Sequence, residues 1–363
     1  MEKYKGRNGK IQVNSFYEEE RPPQKQKQRQ KRSRVFKALV IVFCSLVVLL
    51  VGSLVGLYLD VSRIWGDLGF DEMTVVDEPE QDEEAQNLPE ITFEQVAVPT
   101  MEKTPEVIDV MLVGVDNRDR TQFTGRSDVT MLLRIDTGKK TIKLVSIMRD
   151  TLVAIDGHDK NKFNTAFHFG SVDLAYKTLQ ENFGFTPDYY MVVNFFGMED
   201  IIDAFGGVDV TVEQKEIRYL RSAIEEINNL DRENKVEYIR DSGEQHLNGR
   251  QAVAYMRIRK MDGDAQRVER QHKVLEALFS KAMNFSAGQI PDMLGAVVEY
   301  VRTDIPLSRM MEIATAVRGM EGSQLQTFRY PEEYVNGSYD GMSVVKPNDT
   351  EVELSKLKFF LEQ

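Results

Sequence analysis

Residues 107–115 read VIDVMLVGV and run directly into Asp116, and the reading of this stretch decides the fold. Only Asp109 interrupts the apolar run, the pattern of a central strand buried on both faces. Working outward, Val129–Ile135 and Thr141–Ile147 flank Asp136-Thr137-Gly138-Lys139. Asp and Gly are turn formers, so these two segments should pair as a hairpin. Tyr189–Asn194 and residues 325–329 are further strand candidates. A helix is expected from an N-cap at Ser171 to about Phe183, with Val172, Ala175, Leu179 and Phe183 along one face. Others are expected over Met198–Phe205, ended by Gly206-Gly207, and over residues 249–256, 265–284, 289–302 and 307–319. Mixed order of this kind implies an α/β fold with a mixed central sheet flanked by helices. Tyr330–Lys346 read as surface loops, and residues 286–363 carry no assignable motif.

The 363 residues are 42% apolar, enough for a substantial core in one or two domains. A single cysteine, Cys44, excludes a disulfide framework, and four scattered histidines argue against structural zinc. The net charge of −12 averages over unlike parts: residues 1–37 carry +8, residues 60–106 carry −12, and residues 107–363 carry −8. Between the first two, Ala38–Leu59 gives 22 residues without a charge. As a helix they would run ~33 Å, enough to cross a bilayer core. Eight Lys/Arg and no acid lie between Arg21 and Lys37, so the tail should stay in the cytoplasm and the C-terminal portion outside. A cleaved signal peptide would have a shorter apolar region and an A-x-A-like site. A core helix would not stay uncharged for six turns.

The expected organisation is therefore a basic cytoplasmic tail (1–37), a transmembrane signal anchor (38–59), an acidic extracellular linker (60–106) and an extracellular body (107–363). Part of the linker could pack on the body as an accessory strand or helix. The tail's QKQKQRQKRSR run cannot bury enough surface to fold. Next to a membrane anchor it suits anionic lipid headgroups, and no nucleic-acid partner is expected.

Three clusters carry chemistry. Asp116 closes one expected strand, and Asp128 opens the next. If those strands are neighbours, both carboxylates meet at one end of the sheet, where open α/β sheets bind ligands. With Arg118, Arg120 and Arg126 nearby, they fit a hard divalent cation shared with a phosphate. A polar loop with ordinary salt bridges would contain the same residues. Arg149 follows the strand KLVSI, where its fork could grip two phosphate oxygens or simply pair with Asp150. Arg257 and Arg259 are two apart and would share a face on extended backbone. Arg267 and Gln271 are i,i+4 neighbours on a helix. Arginines so gathered would repel one another without an anion among them.

Taken together, GVDNR (114–118), GRSDVTML (125–132), SIMRDT (146–151), KFNTAFHFG (162–170), FGGVDV (205–210), QHLNGRQAVAYMRIR (245–259) and DAQRVERQ (264–271) resemble the LytR-CpsA-Psr family of Gram-positive cell envelopes. The likeness spans residues 107–275. Met148 stands where the family usually has proline, and RIRKMDGDAQR (257–267) departs from the usual connector; neither removes a charged group. The resemblance implies a phosphotransferase moving a polyprenyl-diphosphate-linked glycopolymer, wall teichoic acid or capsular polysaccharide, onto a peptidoglycan hydroxyl. It also implies that Asp116 and Asp128 hold Mg²⁺, with Mn²⁺ as a substitute. Arg118, Arg126, Arg149, Arg257, Arg259, Arg267 and Gln271 would clamp the diphosphate, and Asp128, Arg149, Arg257 and Arg259 would be catalytic. An apolar groove would take the prenyl tail, with Phe163, Phe167, Phe169, Phe183 and Phe195 available, although aromatic residues so placed are more often core. The competing functions are a membrane-anchored envelope sensor or transcription attenuator, and a lipid diphosphatase using water as acceptor. His158, His168, His246 and His272 lack a Ser or Cys partner at a motif-like turn, so no nucleophile triad is expected.

Overall fold

The computed structural model describes residues 83–363, apart from 118–120, 260, 287 and 321. The stretch 38–59, the basic tail and Arg118 lie outside the described residues, among which no helix is long and apolar enough to cross a membrane. Strands β1 (Val107–Val115), β2 (Ser127–Asp136) and β3 (Thr141–Ile147) form an antiparallel meander. Two short strands, β4 (Leu152–Val153) and β5 (Asn161–Lys162), lead into α1 (Phe163–Phe183), β6 (Tyr189–Asn194) and α2 (Phe195–Ala204). Then come β7 (Val208–Val212), α3 (Ile217–Leu230), β8 (Gly243–Leu247), α4 (Gly249–Met256) and α5 (Asp264–Met283). The chain ends with α6 (Ile290–Val298), β9 (Val301–Thr303), α7 (Leu307–Arg318), β10 (Leu325–Tyr330), β11 (Tyr334–Tyr339), β12 (Met342–Pro347) and α8 (Thr350–Glu362).

Six strands make one sheet in the order β10-β3-β2-β1-β6-β9. The β1–β6 and β3–β10 pairs are parallel and the others antiparallel, so the sheet is mixed, as expected. Strand β1 lies inside it, which is why its residues are apolar on both faces. Met111, Val113 and Val115 meet Phe163, Phe167 and Phe183 of α1 and Leu354, Leu357 and Leu361 of α8 in one core cluster. A second cluster joins Ile202 of α2, Val208 and Val210 of β7, Leu220 and Ile224 of α3, Tyr255 of α4 and Val274 of α5. Helix α4 begins where a capping box forms: Asn248 Oδ1 accepts from Gln251 N (2.9 Å) and Gln251 Oε1 accepts from Asn248 N (3.1 Å).

Three expectations are revised. The helix placed at Ser171 begins eight residues earlier, at Phe163. Gly170 (φ −147°) and Ser171 (φ 57°) break it, so Ser171 opens only its second half. Phe163, Ala166 and Phe167 fall at helical spacing and are buried, making these phenylalanines core rather than groove. The helix expected over 289–302 stops at Val298, and Val301–Thr303 pairs with the sheet edge as a three-residue strand too short for periodicity to reveal. Tyr330–Lys346 is not loop: Tyr334–Pro347 folds as a hairpin around Asp340 (φ 48°) and Gly341 (φ 76°), a turn that Asp-Gly suits. As allowed for part of the acidic segment, its end, residues 83–106, packs on the body. Ile91 N donates to Ser338 O (2.9 Å), Met101 is buried, and Glu102 N donates to Glu362 Oε1 (2.8 Å).

Behind β3, His272 Nε2 lies 2.7 Å from Ser146 Oγ with both side chains buried. Burial, aided by the nearby Arg329 charge, pushes this imidazole down to about 4. The folded value is below the unfolded one, so the unfolded chain binds more protons between them. Stability is then complete above pH ~6.5 and declines as pH falls toward 4. Urea melts should lose about 2 kcal/mol from this residue between pH 7 and pH 5. His272→Gln should show a correspondingly flatter pH dependence, and identical slopes in the two proteins would refute the assignment.

Candidate active site

Strand directions alone bring three of the charged groups together. Antiparallel β1 and β2 pair Val115 with Ser127, so Asp116 leaves the end of β1 at the same edge of the sheet where Asp128 enters β2. Strand β3 returns antiparallel with Ile147 opposite Thr130, and two residues further on Arg149 arrives opposite Asp128. Arg149 Nη1 donates to Asp128 Oδ1 at 2.6 Å. Its Nε lies 3.4 Å from Asp150 Oδ2 and 3.9 Å from Asp264 Oδ1. Burial opposes the Arg149 charge, yet the three carboxylates outweigh it and raise its pKa further.

Helix α5 supplies the second wall. Asp264 and Arg267 face the rim from its first turn, Arg267 Nη2 lying 2.7 Å from Asp264 Oδ1 and donating to Asp128 O at 3.3 Å. Burial raises the Asp264 carboxyl, countered by Arg267 and Arg149. Burial likewise lowers the Arg267 guanidinium, countered by Asp264. Both Asp264 oxygens and Arg267 Nε lack a well-aligned hydrogen bond although they are buried. Buried polar atoms without a well-aligned partner are costly to hold, and here the ion pairs of Asp264 with Arg267 and Arg149 offset part of that cost.

Arg257 and Arg259 do not share an extended segment. Arg257 closes α4 as its C-cap in helical conformation (φ −93°, ψ −6°), because its N–H still bonds Val253 O and Ala254 O. They reach the rim separately: Arg257 Nη2 lies 3.9 Å from Asp116 Oδ2 and 3.5 Å from Glu226 Oε1, and Arg259 Nη2 lies 3.6 Å from Asp150 Oδ2. Arg126 stands exposed on the loop entering β2 and makes no ion pair among the described residues. Gln271, one turn after Arg267, is buried.

Three participants fall outside the sequence-based site. Asp150 contacts Arg149, Arg259 and Lys162, whose Nζ is 3.7 Å from Asp150 Oδ1. Asp264 is the third carboxylate around Arg149. Lys162 and Asp264 each open one of the quoted motifs, so position was available as a signal but role was not. These carboxylates also correct the expectation that the guanidinium groups need an anion to coexist: Asp128, Asp150 and Asp264 already separate them. Arg257 and Arg259, held by contacts of 3.5 Å or more, are less committed to the protein than Arg149 and Arg267, which are held at 2.6 and 2.7 Å.

A narrow apolar cleft of about 100 Å³ opens beside this cluster. Leu112, Gly114, Val129 and Met131 of the sheet form its floor, and Phe195, Met198, Val253, Met256 and Leu275 its sides, with Arg257 and Gln271 also lining it. Of the phenylalanines named for a groove, Phe195 alone lines this cleft. A roomier cleft of about 400 Å³, between residues 93–98 and β4, holds none of the clustered charges.

The LytR_cpsA_psr family model matches residues 72–358. Over 230 residues, 61% of this chain and 68% of the relative, the sequence is 31% identical to the polyisoprenyl-teichoic acid–peptidoglycan teichoic acid transferase TagT of Bacillus subtilis (strain 168). It is 30% identical over 264 residues, 70% of this chain and 75% of the relative, to the regulatory protein MsrR of Staphylococcus aureus (strain COL). A solved structure described as TagT bound to LI-WTA superposes with a TM-score of 0.58 and 27% identity, covering 71% of this chain and 90% of that one. A match over most of the length, on the sheet whose rim gathers Asp116, Asp128, Arg149, Arg257 and Arg267, means that this chain belongs to the LytR-CpsA-Psr family.

Proposed function

We propose that the chain is a phosphotransferase that moves a polyprenyl-diphosphate-linked anionic glycopolymer, wall teichoic acid or capsular polysaccharide, onto a peptidoglycan hydroxyl. One observation carries this reading: an apolar cleft and a cluster of cations meet at Arg257 and Gln271. An apolar tail ending in a diphosphate matches both surfaces at once. The naming of the TagT relative as a teichoic acid transferase supports the same class of reaction.

In this reading the acceptor hydroxyl oxygen bonds to the polymer-bearing phosphorus, the bond to the bridging oxygen breaks, and polyprenyl phosphate leaves. Arg257 and Arg259 turn from their long contacts to the non-bridging oxygens, where charge accumulates. Arg149 and Arg267, fixed by partly buried carboxylates, supply positive potential without needing to move, and Lys162 adds a further charge. Arg126 approaches from the loop entering β2. Asp128 receives the hydroxyl proton.

Mg²⁺, or Mn²⁺ in its place, fits the donor set in a restricted sense. Among the described residues no group of three or more His, Cys, Asp or Glu side chains could hold a metal alone. Magnesium usually binds through one or two carboxylates completed by phosphate oxygens and water, and Asp116 and Asp128 would provide those two. Bound there, the ion would neutralise diphosphate charge. Asp116→Asn is expected to weaken Mn²⁺ binding, followed by electron paramagnetic resonance with a lipid diphosphate present, on the order of tenfold or more. Unchanged affinity would remove Asp116 from the metal site.

The uncharged stretch 38–59 would anchor the protein in the cell membrane as a single pass, with residues 1–37 cytoplasmic and the body facing the wall. The charge asymmetry around the stretch supports this orientation. The deciding assay supplies full-length protein in detergent with a lipid-diphosphate-linked polymer, with and without peptidoglycan. Polymer attached to peptidoglycan is the expected product. Polymer phosphate released equally without acceptor would instead mean a diphosphatase. The regulatory name of the MsrR relative favours a second reading, an envelope sensor. Loss of regulation on deleting residues 1–37, with no transfer by either form, would establish it.

A further inference from the structure

We propose that Phe195 is a positioning residue that couples filling of the apolar cleft to the placement of the Arg257 guanidinium; this rests on the transferase reading above. The Phe195 ring lines the cleft, and the Arg257 Cζ sits over that same ring, 4.2 Å from its centroid. One aromatic side chain therefore borders both the apolar space and the charge.

The ring is held in place by its backbone. Asn194 ends β6 opposite Val115, and its side chain caps α2 by accepting from Gly197 N at 2.8 Å. Phe195, the first residue of α2, is thereby fixed one position beyond the sheet, level with Asp116. The helix packs closely on its neighbour at Gly197, where a Cβ would lie 2.6 Å from Tyr300 O. The Arg257 backbone is equally fixed by its bonds to α4.

The Arg257 side chain, by contrast, has a choice. Asp116 Oδ2 stands 3.9 Å away on the rim, and Glu226 Oε1 stands 3.5 Å away on α3, on a side chain that is 60% exposed. Neither contact is short enough to decide the matter, so attraction to the ring face weighs in the balance. That attraction strengthens when water is removed from around it. An apolar chain entering the cleft packs against Phe195 and dries it, holding the guanidinium at the rim and away from Glu226. Lipid occupancy thus reports to the phosphate-binding charge through one ring, and a donor with a short tail should be turned over more slowly as well as bound more weakly.

The test uses full-length protein in detergent with two diphosphate-linked sugar donors, one long-prenyl and one short-prenyl, measuring kcat and KM for each. Wild type should show a higher kcat on the long donor. Phe195→Leu, which stays apolar but offers no ring face, should lose about tenfold in kcat on the long donor and little on the short one. Phe195→Tyr should retain the wild-type pattern. Glu226→Gln, a change at the surface, should raise kcat on the short donor two- to threefold, about the gain from removing a weak competing ion pair. A side chain that merely fills space would give Phe195→Leu the wild-type kcat ratio, and that result overturns the proposal, as would no response to Glu226→Gln. Wild type inert on both donors would overturn the transferase reading and this proposal with it, whereas an active wild type whose Arg257→Ala variant is inactive isolates any failure to Phe195.

Discussion

Replacing Arg149 with alanine should lower polymer transfer by about 10²–10³-fold, a loss of roughly 3–4 kcal/mol of transition-state stabilisation. The magnitude follows from where the residue sits. Arg149 touches Asp128 at 2.6 Å and lies within 3.9 Å of Asp150 and Asp264, so one guanidinium links the carboxylates of a strand, a loop and a helix. Without it Asp128 loses its 2.6 Å partner, while Asp150 keeps the longer contacts to Arg259 and Lys162 and Asp264 keeps Arg267, and the positive potential at the rim falls where a diphosphate would rest. Arg149→Lys separates the two consequences. Lysine keeps the charge but not the planar fork, so it should restore most of the thermal stability and only part of the rate. Transfer rates should be read with melting temperatures for each variant. A folded Arg149→Ala protein with near wild-type transfer would remove the residue from the mechanism.

The reason Arg149 was readable in the sequence is geometric. A strand buried on both faces must be nearly all apolar, and its polar neighbours at either end must lie at the sheet's rim. VIDVMLVGV followed by Asp116, and KLVSIM followed by Arg149, thus announce rim residues before any coordinates. What such patterns do not carry is which side chains share that rim from elsewhere in the chain. Asp264 enters the cluster because α5 begins there, and its pairing with Arg149 spans more than a hundred residues. Asp150 and Lys162 meet through the pairing of β4 with β5, strands of two residues that leave no periodic trace. The backbone of Arg257 departs from extended for a related reason: a helix ends where its last bond is made, and alternation in YMRIR cannot show that bond. The Asp340-Gly341 hairpin is a different case: its turn signal stands in the sequence, but the flanking YVNGSY and MSVVKP mix apolar and polar residues without strict alternation.

Arg134→Met should destabilise the protein by about 3–5 kcal/mol while leaving the chemistry of the remaining folded molecules intact. Arg134 and Asp109 sit opposite each other on β2 and β1, bonded twice, at 2.8 Å through Nε and 2.9 Å through Nη2, with both side chains buried. Removing the arginine leaves the Asp109 carboxylate buried with Lys103 at 3.5 Å as its nearest cation. That is the situation in which breaking a buried pair is severe. Replacing both partners, as Asp109→Leu with Arg134→Met, removes the desolvated charges together and should return stability to near wild type. The consequence is also local, because Arg134 Nη1 donates to Glu102 O and Leu361 O, both at 3.4 Å, joining the incoming segment to the last helix. Hydrogen exchange in the single variant should therefore rise first at residues 100–106 and at the end of α8. Six residues of β2 separate Arg134 from Asp128, roughly 20 Å of extended chain, so the two ends of one strand divide attachment from catalysis. Equal stability of the single and double variants would mean that the pair is not what holds this end, and loss of transfer in a stably folded double variant would mean that the two ends are not independent.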